Sequence, residues 1–288
     1  MTMLTATEQR PRLAVNEAGR GPNLILVHGG MGSWNHWTRN IDALAAKFRV
    51  FAIDLPGYGD SPDVDRDLSG DEYNDLVCCS IDTLIGNDTA FWLVGFSFGS
   101  AVCSHVAARA GKRMEGLSLI GVSGFGPPKG RDLKTRSYRS ANGDEKIFRE
   151  IARENLLAFM LKDPASADEA AVTYHSTNVK RTRYDSRKVS WGDTQRLDLP
   201  LIHCPLQLIW GDQDVTAYPS IEARVAICRE FVPDLRLDVI PDTAHWAMYD
   251  SAEIVNELLL DFHSSPTEEQ SVSCETDGDR EFDKNLII

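Results

Sequence analysis

Apolar residues along the chain fall into short unbroken runs, separated by longer stretches in which they recur every three or four positions. Leu24-Ile25-Leu26-Val27 is the first clear run, and it stops at His28-Gly29-Gly30-Met31-Gly32, which continues neither a strand nor a helix. Ile41, Leu44, Ala45 and Phe48 then share one helical face. Residues 50–53 form the next strand-like run, closed by Asp54-Leu55-Pro56-Gly57-Tyr58-Gly59. A helix is predicted over 68–85, with Ser69 as N-cap and Glu72 three positions on in a capping box. Residues 90–94 and 116–121 read as buried strands, with a small, helix-compatible stretch over 100–109 between them. The same rhythm returns with a strand at 206–210, a helix from about 220 to 230, a strand at 235–240 and a last helix over 251–262.

Strands that alternate with helices imply parallel strands joined by right-handed crossovers, hence an α/β fold with helices on both faces of a mostly parallel sheet. The rhythm breaks at Gly124-Phe125-Gly126-Pro127-Pro128. No buried strand is evident from about 125 to 200, where 145–161 and 165–173 are charged and helix-prone. So long a connection inside one sheet calls for a role of its own. The expected organisation is a core of residues 1–124 and 201–263, a helical lid over 125–200, and a tail over 264–288. That tail carries seven acids against two bases and is expected to be disordered.

Bulk properties narrow the partners. A chain of 288 residues with 42% hydrophobic content suits one large α/β domain, and a net charge of -13 argues against nucleic acid. The first twelve residues hold no apolar run of signal-peptide length, and no stretch reads as a membrane span. Cys78, Cys79, Cys103, Cys204, Cys228 and Cys274 have neither zinc-ribbon nor redox-pair spacing. Free thiols without a secretion signal point to the cytoplasm. No histidine–carboxylate cluster has metal spacing, and no phosphate or dinucleotide loop follows the first strand, so no metal and no cofactor are expected. A homodimer is compatible with the sequence, which specifies no assembly state.

The chemistry centres on Gly95-Phe96-Ser97-Phe98-Gly99, between a predicted strand and a predicted helix. A strand, a tight G-x-S-x-G turn and a helix form the setting of a nucleophile elbow, in which the strained turn exposes the serine hydroxyl. A hydroxyl is a weak nucleophile near neutral pH and needs a base, held in turn by a third group. His245 follows the last strand in Asp242-Thr243-Ala244-His245-Trp246, at the sheet edge where ligands collect in α/β folds, and is the expected base. Trp210-Gly211-Asp212-Gln213-Asp214 leaves the preceding strand; Asp214 is the expected orienting acid, with Asp212 bonding its own loop. The backbone N–H groups of Phe98 and Gly30 are the expected oxyanion donors, with His28 bracing the first loop.

With these motifs the chain resembles the α/β-hydrolase superfamily over roughly residues 13–263. Within it, Ser33-Trp34, Arg39-Asn40-Ile41, the 54–59 turn, Arg153-Glu154-Asn155-Leu156, Leu208-Ile209-Trp210-Gly211 and His245-Trp246 are most similar to the meta-cleavage-product hydrolases, which split carbon–carbon bonds. That resemblance implies a lid arginine on the substrate's carboxylate, with Arg183 the nearest candidate and Arg181 next; a solvated surface with Lys180 and Arg187 is the other reading. Two features depart from the family: Phe96 stands where it usually has asparagine, and the 28–32 loop is shorter than its usual glycine-proline-glycine run. The Phe96 elbow is closer to that of esterases and lactonases.

Position alone makes Met31, Trp34, Phe125, Trp191 and Trp246 further substrate-binding candidates, each equally compatible with core packing. Such a lining suits a small-molecule substrate with an apolar acyl or aryl part. The sequence therefore predicts a serine hydrolase of a small carboxylic ester or lactone. Carbon–carbon hydrolysis of a ring-opened diketone, or acyl transfer, is the alternative.

Overall fold

The computed structural model describes residues 11–128 and 133–264. The expected tail beyond residue 264, with Cys274, lies outside the described residues. The apolar runs form strands β2 (Asn23–Val27), β3 (Arg49–Ile53), β4 (Phe91–Phe96), β5 (Met114–Ile120), β6 (Leu206–Gly211) and β7 (Arg236–Ile240). With β1 (Val15–Ala18) they make, among the described residues, a seven-stranded sheet in the order β1-β3-β2-β4-β5-β6-β7. Only β1 runs antiparallel, against β3; its four partly exposed residues carry no alternation that sequence patterning detects.

The unbroken runs have a direct physical cause. Along β4, Phe91 and Leu93 enter one apolar layer while Trp92, Val94 and Phe96 enter the layer on the other face. Leu24 and Leu26 divide from Ile25 and Val27 in the same way. Strands buried on both faces show no polar alternation, as expected for a parallel sheet covered by helices.

Helix α1 spans Ile41–Ala45, and α2 spans Gly70–Ile85 behind the Ser69–Glu72 capping box, both halves of which are made. Helix α3 (Phe98–Ala110) follows β4 directly. The 125–200 stretch holds α4 (Glu145–Asn155), a π-helical turn over Leu156–Met160, α5 (Glu169–Lys180), α6 (Arg187–Ser190) and α7 (Thr194–Asp198). The helix expected over 165–173 starts later because Pro164 opens a separate short turn, while Asp168 caps α5 by accepting the Ala171 N–H. Helix α8 (Ile221–Arg229) precedes β7. The last helix is two pieces, α9 (Ala247–Asp250) and α10 (Ala252–Ser264). α6 and α7 pack on α3, so these helices rest on the element that directly follows Ser97.

Candidate active site

Parallel strands bring their carboxyl ends to one sheet edge, and three loops deliver side chains there. Ser97 sits between β4 and α3 with φ 51° and ψ -119°. A non-glycine residue with positive φ is strained, which marks a turn that the surroundings over-determine. The flanking glycines make it feasible. A Cβ at Gly95 would lie 2.6 Å from Cys103 Sγ, and one at Gly99 would lie 2.4 Å from the His28 carbonyl oxygen. The Ser97 carbonyl is held by the hydroxyls of Ser100 (2.5 Å) and Ser123 (2.8 Å).

His245, on the loop after β7, places Nε2 2.9 Å from Ser97 Oγ and Nδ1 2.7 Å from Asp214 Oδ2. Asp214 leaves the end of β6, and its other oxygen accepts the Thr216 hydroxyl at 2.6 Å and the Thr216 N–H at 2.9 Å. Burial alone would raise the Asp214 carboxyl. The facing His245, with hydrogen bonds from His245 and Thr216, overcomes that and holds it below the usual aspartate range. A carboxylate on Nδ1 assigns the ring proton to that nitrogen and leaves Nε2 as the acceptor facing the Ser97 hydroxyl. The rings of Phe96 and Phe159 lie 4.9 and 6.0 Å from the imidazole and shield it.

The loop after β2 approaches the serine from the opposite side. A Cβ at Gly29 would come 3.2 Å from Ser97 Cβ, and one at Gly30 would come 3.8 Å from Phe98 Cβ. The Gly29 N–H is directed to His36 Nδ1 at 3.3 Å. Phe98 is the first residue of α3, so its N–H lacks an intrahelical acceptor. His28 locks the loop: Nδ1 is 2.7 Å from the Gly29 carbonyl, and Nε2 accepts the Leu55 N–H at 3.0 Å. Burial lowers the His28 pKa, although Asp54 and the Gly29 carbonyl oppose it.

A cavity of about 380 Å³ opens over Ser97 and His245. Phe125 and Trp191 line it, as does Phe159 from the π-helical turn. Met31, Trp34 and Trp246 do not. Trp246 is fully buried with its indole N–H on the His36 carbonyl at 3.0 Å, so it packs the core beneath the site. Trp34 opens a short turn whose N–H binds Asp54 Oδ1 at 2.7 Å, and it lies against the second apolar layer. Met31 is 38% exposed.

Arg183 is also elsewhere. Its Nε meets Asp63, and its other nitrogens bind the carbonyls of Gly59 (3.2 Å), Arg181 (2.8 Å), Tyr58 (3.4 Å) and Ser61 (2.6 Å). That guanidinium braces the turn after β3 and has no donors left for a ligand. Arg181 is taken up by Asp60. Asp212 does not bond its own loop but accepts the Thr243 N–H at 3.3 Å, tying the loops after β6 and β7 together.

Three of the wall residues that escaped sequence reasoning carry chemistry or bulk. Thr216, Phe159 and Arg224 all border the cavity. Thr216 could have been suspected two positions after Asp214; the other two come from helical stretches whose orientation only packing sets. Among the described residues, no group of three or more histidine, cysteine or carboxylate side chains could hold a metal ion, and no helix is long and apolar enough to cross a membrane.

Comparison with known proteins bears on this arrangement. A model of the alpha/beta hydrolase family matches residues 24–258. The chain is 30% identical, over 84% of its length, to the dihydrolipoyllysine-residue acetyltransferase component of an acetoin cleaving system from Pseudomonas putida, and spans 63% of that protein. It is 28% identical to a 2-hydroxy-6-oxo-6-phenylhexa-2,4-dienoate hydrolase from Burkholderia cepacia, over 87% of this chain and 91% of the relative. An esterase from Rhodococcus sp. ECU1013 shares the fold with a TM-score of 0.70 at 20% identity, covering 89% of this chain and 99% of its own.

Proposed function

The chain belongs to the alpha/beta hydrolase family; on that premise we propose that it is a hydrolase that cleaves a small carboxylic ester or lactone through an acyl-serine. One observation carries the reading: a single imidazole bridges Ser97 Oγ at 2.9 Å and Asp214 Oδ2 at 2.7 Å. In this reading His245 Nε2 takes the hydroxyl proton as Ser97 Oγ attacks the carbonyl carbon. The oxyanion forms toward the Phe98 and Gly30 N–H groups, each worth about 2.7–4 kcal/mol to the transition state. Collapse expels the alkoxide, which leaves with the proton from His245. Water, deprotonated by the same nitrogen, then attacks the acyl-serine, and the acid departs as Ser97 recovers its proton.

Residues 125–200 serve as the lid in this proposal, supported by Phe159 and Trp191 in the cavity wall. The His245 N–H also binds the Phe159 carbonyl at 3.3 Å, so lid and base are directly joined. Phe125, Phe159 and Trp191 favour an apolar acyl or aryl part on the substrate. Cytoplasmic location and pairing as a homodimer belong to the same proposal and rest on the sequence alone.

A second reading, carbon–carbon hydrolysis, is favoured by the similarity to the Burkholderia cepacia dienoate hydrolase. It ranks second because Phe96 packs its ring on His245, where an asparagine would offer polar contacts. Short-chain p-nitrophenyl esters test the choice. A pre-steady-state burst of nitrophenol followed by slower turnover is expected, and Ser97→Ala removes both. Turnover of a ring-opened dienoate far faster than of any ester would move the assignment to the second reading.

A further inference from the structure

Arg224 is a buried cation on the wall of the same cavity. It projects from α8, in the core, and is only 6% exposed. One nitrogen donates to the Pro128 carbonyl at 2.9 Å, and the guanidinium carbon lies 4.8 Å from the centre of the Phe125 ring. Among the described residues, no carboxylate comes within ion-pair distance of it. A guanidinium has five N–H donors, so among the described residues four remain without a protein acceptor. Burial is the main cause of its lowered pKa, repulsion from Arg196 adds to it, and Asp193 only partly compensates. A buried charge with no counterion is costly and calls for an anion from outside the chain.

The contrast with Arg183 sharpens the point. Arg183 spends its donors on one carboxylate and several carbonyls in a turn away from the cavity. Arg224 keeps most of its donors and shares a cavity of about 380 Å³ with Ser97 and His245. A volume of that size suits a small molecule. The planar fork matches a carboxylate through two parallel hydrogen bonds.

We propose that Arg224 is the specificity-determining residue of the site, binding a free carboxylate carried by the substrate away from the bond that is cleaved. The preferred substrate is then the half-ester of a small dicarboxylic acid or a comparable oxo-acid, its apolar part against Phe125 and Trp191 and its anionic end against α8. This rests on the ester-hydrolase reading for the chemical step, whereas the anion subsite itself does not depend on it.

Two measurements test the subsite. In the first, kcat/KM is compared for mono-p-nitrophenyl glutarate and for neutral p-nitrophenyl valerate. The wild type is expected to favour the anionic ester at least 30-fold. Arg224→Gln lowers the anionic-to-neutral ratio by about 10²-fold, and Arg224→Lys restores part of it. Because both esters are read on one preparation, the ratio does not depend on how much of a variant folds. A wild type without preference, or a variant in which both esters lose equally, overturns the proposal and leaves Arg224 as a strut for Pro128.

In the second, glutarate is titrated into Ser97→Ala by calorimetry. Binding that is lost when Arg224→Gln is added to Ser97→Ala supports the subsite; binding that is unaffected overturns it. The failures are distinguishable. Ester turnover that survives Ser97→Ala sinks the catalytic reading while the glutarate titration still decides the subsite.

Discussion

Two buried histidines sit beside aspartates in this molecule, and they do opposite things. His245 has a carboxylate on one nitrogen and the Ser97 hydroxyl on the other. His105, within α3, has a carboxylate on both: Asp198 at 3.2 Å on Nδ1 and Asp75 at 2.9 Å on Nε2. Arg109 adds to that cluster through Asp198 and Asp75. A ring held at both nitrogens by carboxylates has no nitrogen free to take a proton from a nucleophile. It ties α2, α3 and α7 together instead. A histidine–aspartate contact therefore says little until the second nitrogen is traced.

The largest expected effect breaks the first half of that comparison. Ser97→Ala or His245→Ala should lower kcat on a p-nitrophenyl ester by about 10⁶-fold, as removing one member of a catalytic set does elsewhere. The folded state should persist in circular dichroism; loss below tenfold would mean that the pair is not the reacting one. Asp214→Asn comes next, with about a 10⁴-fold loss in kcat, because an amide lets the ring adopt the wrong tautomer. Steady-state kinetics at pH 7 and 9 would check it. An unchanged rate would hand the orienting role to Thr216, whose hydroxyl is 3.1 Å from His245 Nδ1.

The second half is broken by stability and not by rate. His105→Leu leaves Asp198 and Asp75 without the ring and should cost about 1–3 kcal/mol in urea unfolding. Its ester turnover per folded molecule should stay within a few-fold. A thousand-fold loss of turnover would show that α3 geometry, and with it the elbow, depends on that clamp.

A pH-dependent effect concerns histidines that touch neither site. Burial lowers His175 to about 4 and His263 to about 3, each kept neutral beside a hydroxyl, Tyr138 at 2.7 Å and Ser118 at 2.9 Å. The unfolded chain takes up those protons from about pH 6.5 downward while the folded chain does not. Stability is therefore complete above about 6.5 and declines as pH falls toward 4, by up to about 1.4 kcal/mol per pH unit for each histidine. Urea midpoints at pH 7, 6 and 5 would record the slope, and His263→Gln should flatten it. A midpoint that rises on acidification would contradict the buried neutral rings.

Legibility in the sequence tracked how local the determining physics was. Apolar runs located β2 to β7 within a few residues because a strand covered on both faces must be apolar throughout. The Ser69–Glu72 cap was readable because its partners lie three residues apart. β1 was missed, since an edge strand of four half-exposed residues owes its state to β3 and not to its own pattern. Ser97, Asp214 and His245 were readable as loop residues at strand ends, where topology alone brings them to one edge.

What the chain alone determined is thus the alternation of elements, the turn chemistry around Ser97 and the loops that could supply a base and an acid. These depend on neighbours a few residues apart. Tertiary structure alone decided which arginine meets the cavity and which tryptophan lines it. Arg183 and Arg224 are alike as sequence, but one packs against a turn full of carbonyls and the other against an aromatic ring above an empty volume. The direction of a long side chain is set by contacts between residues 96 to 124 positions apart, and no local pattern encodes it.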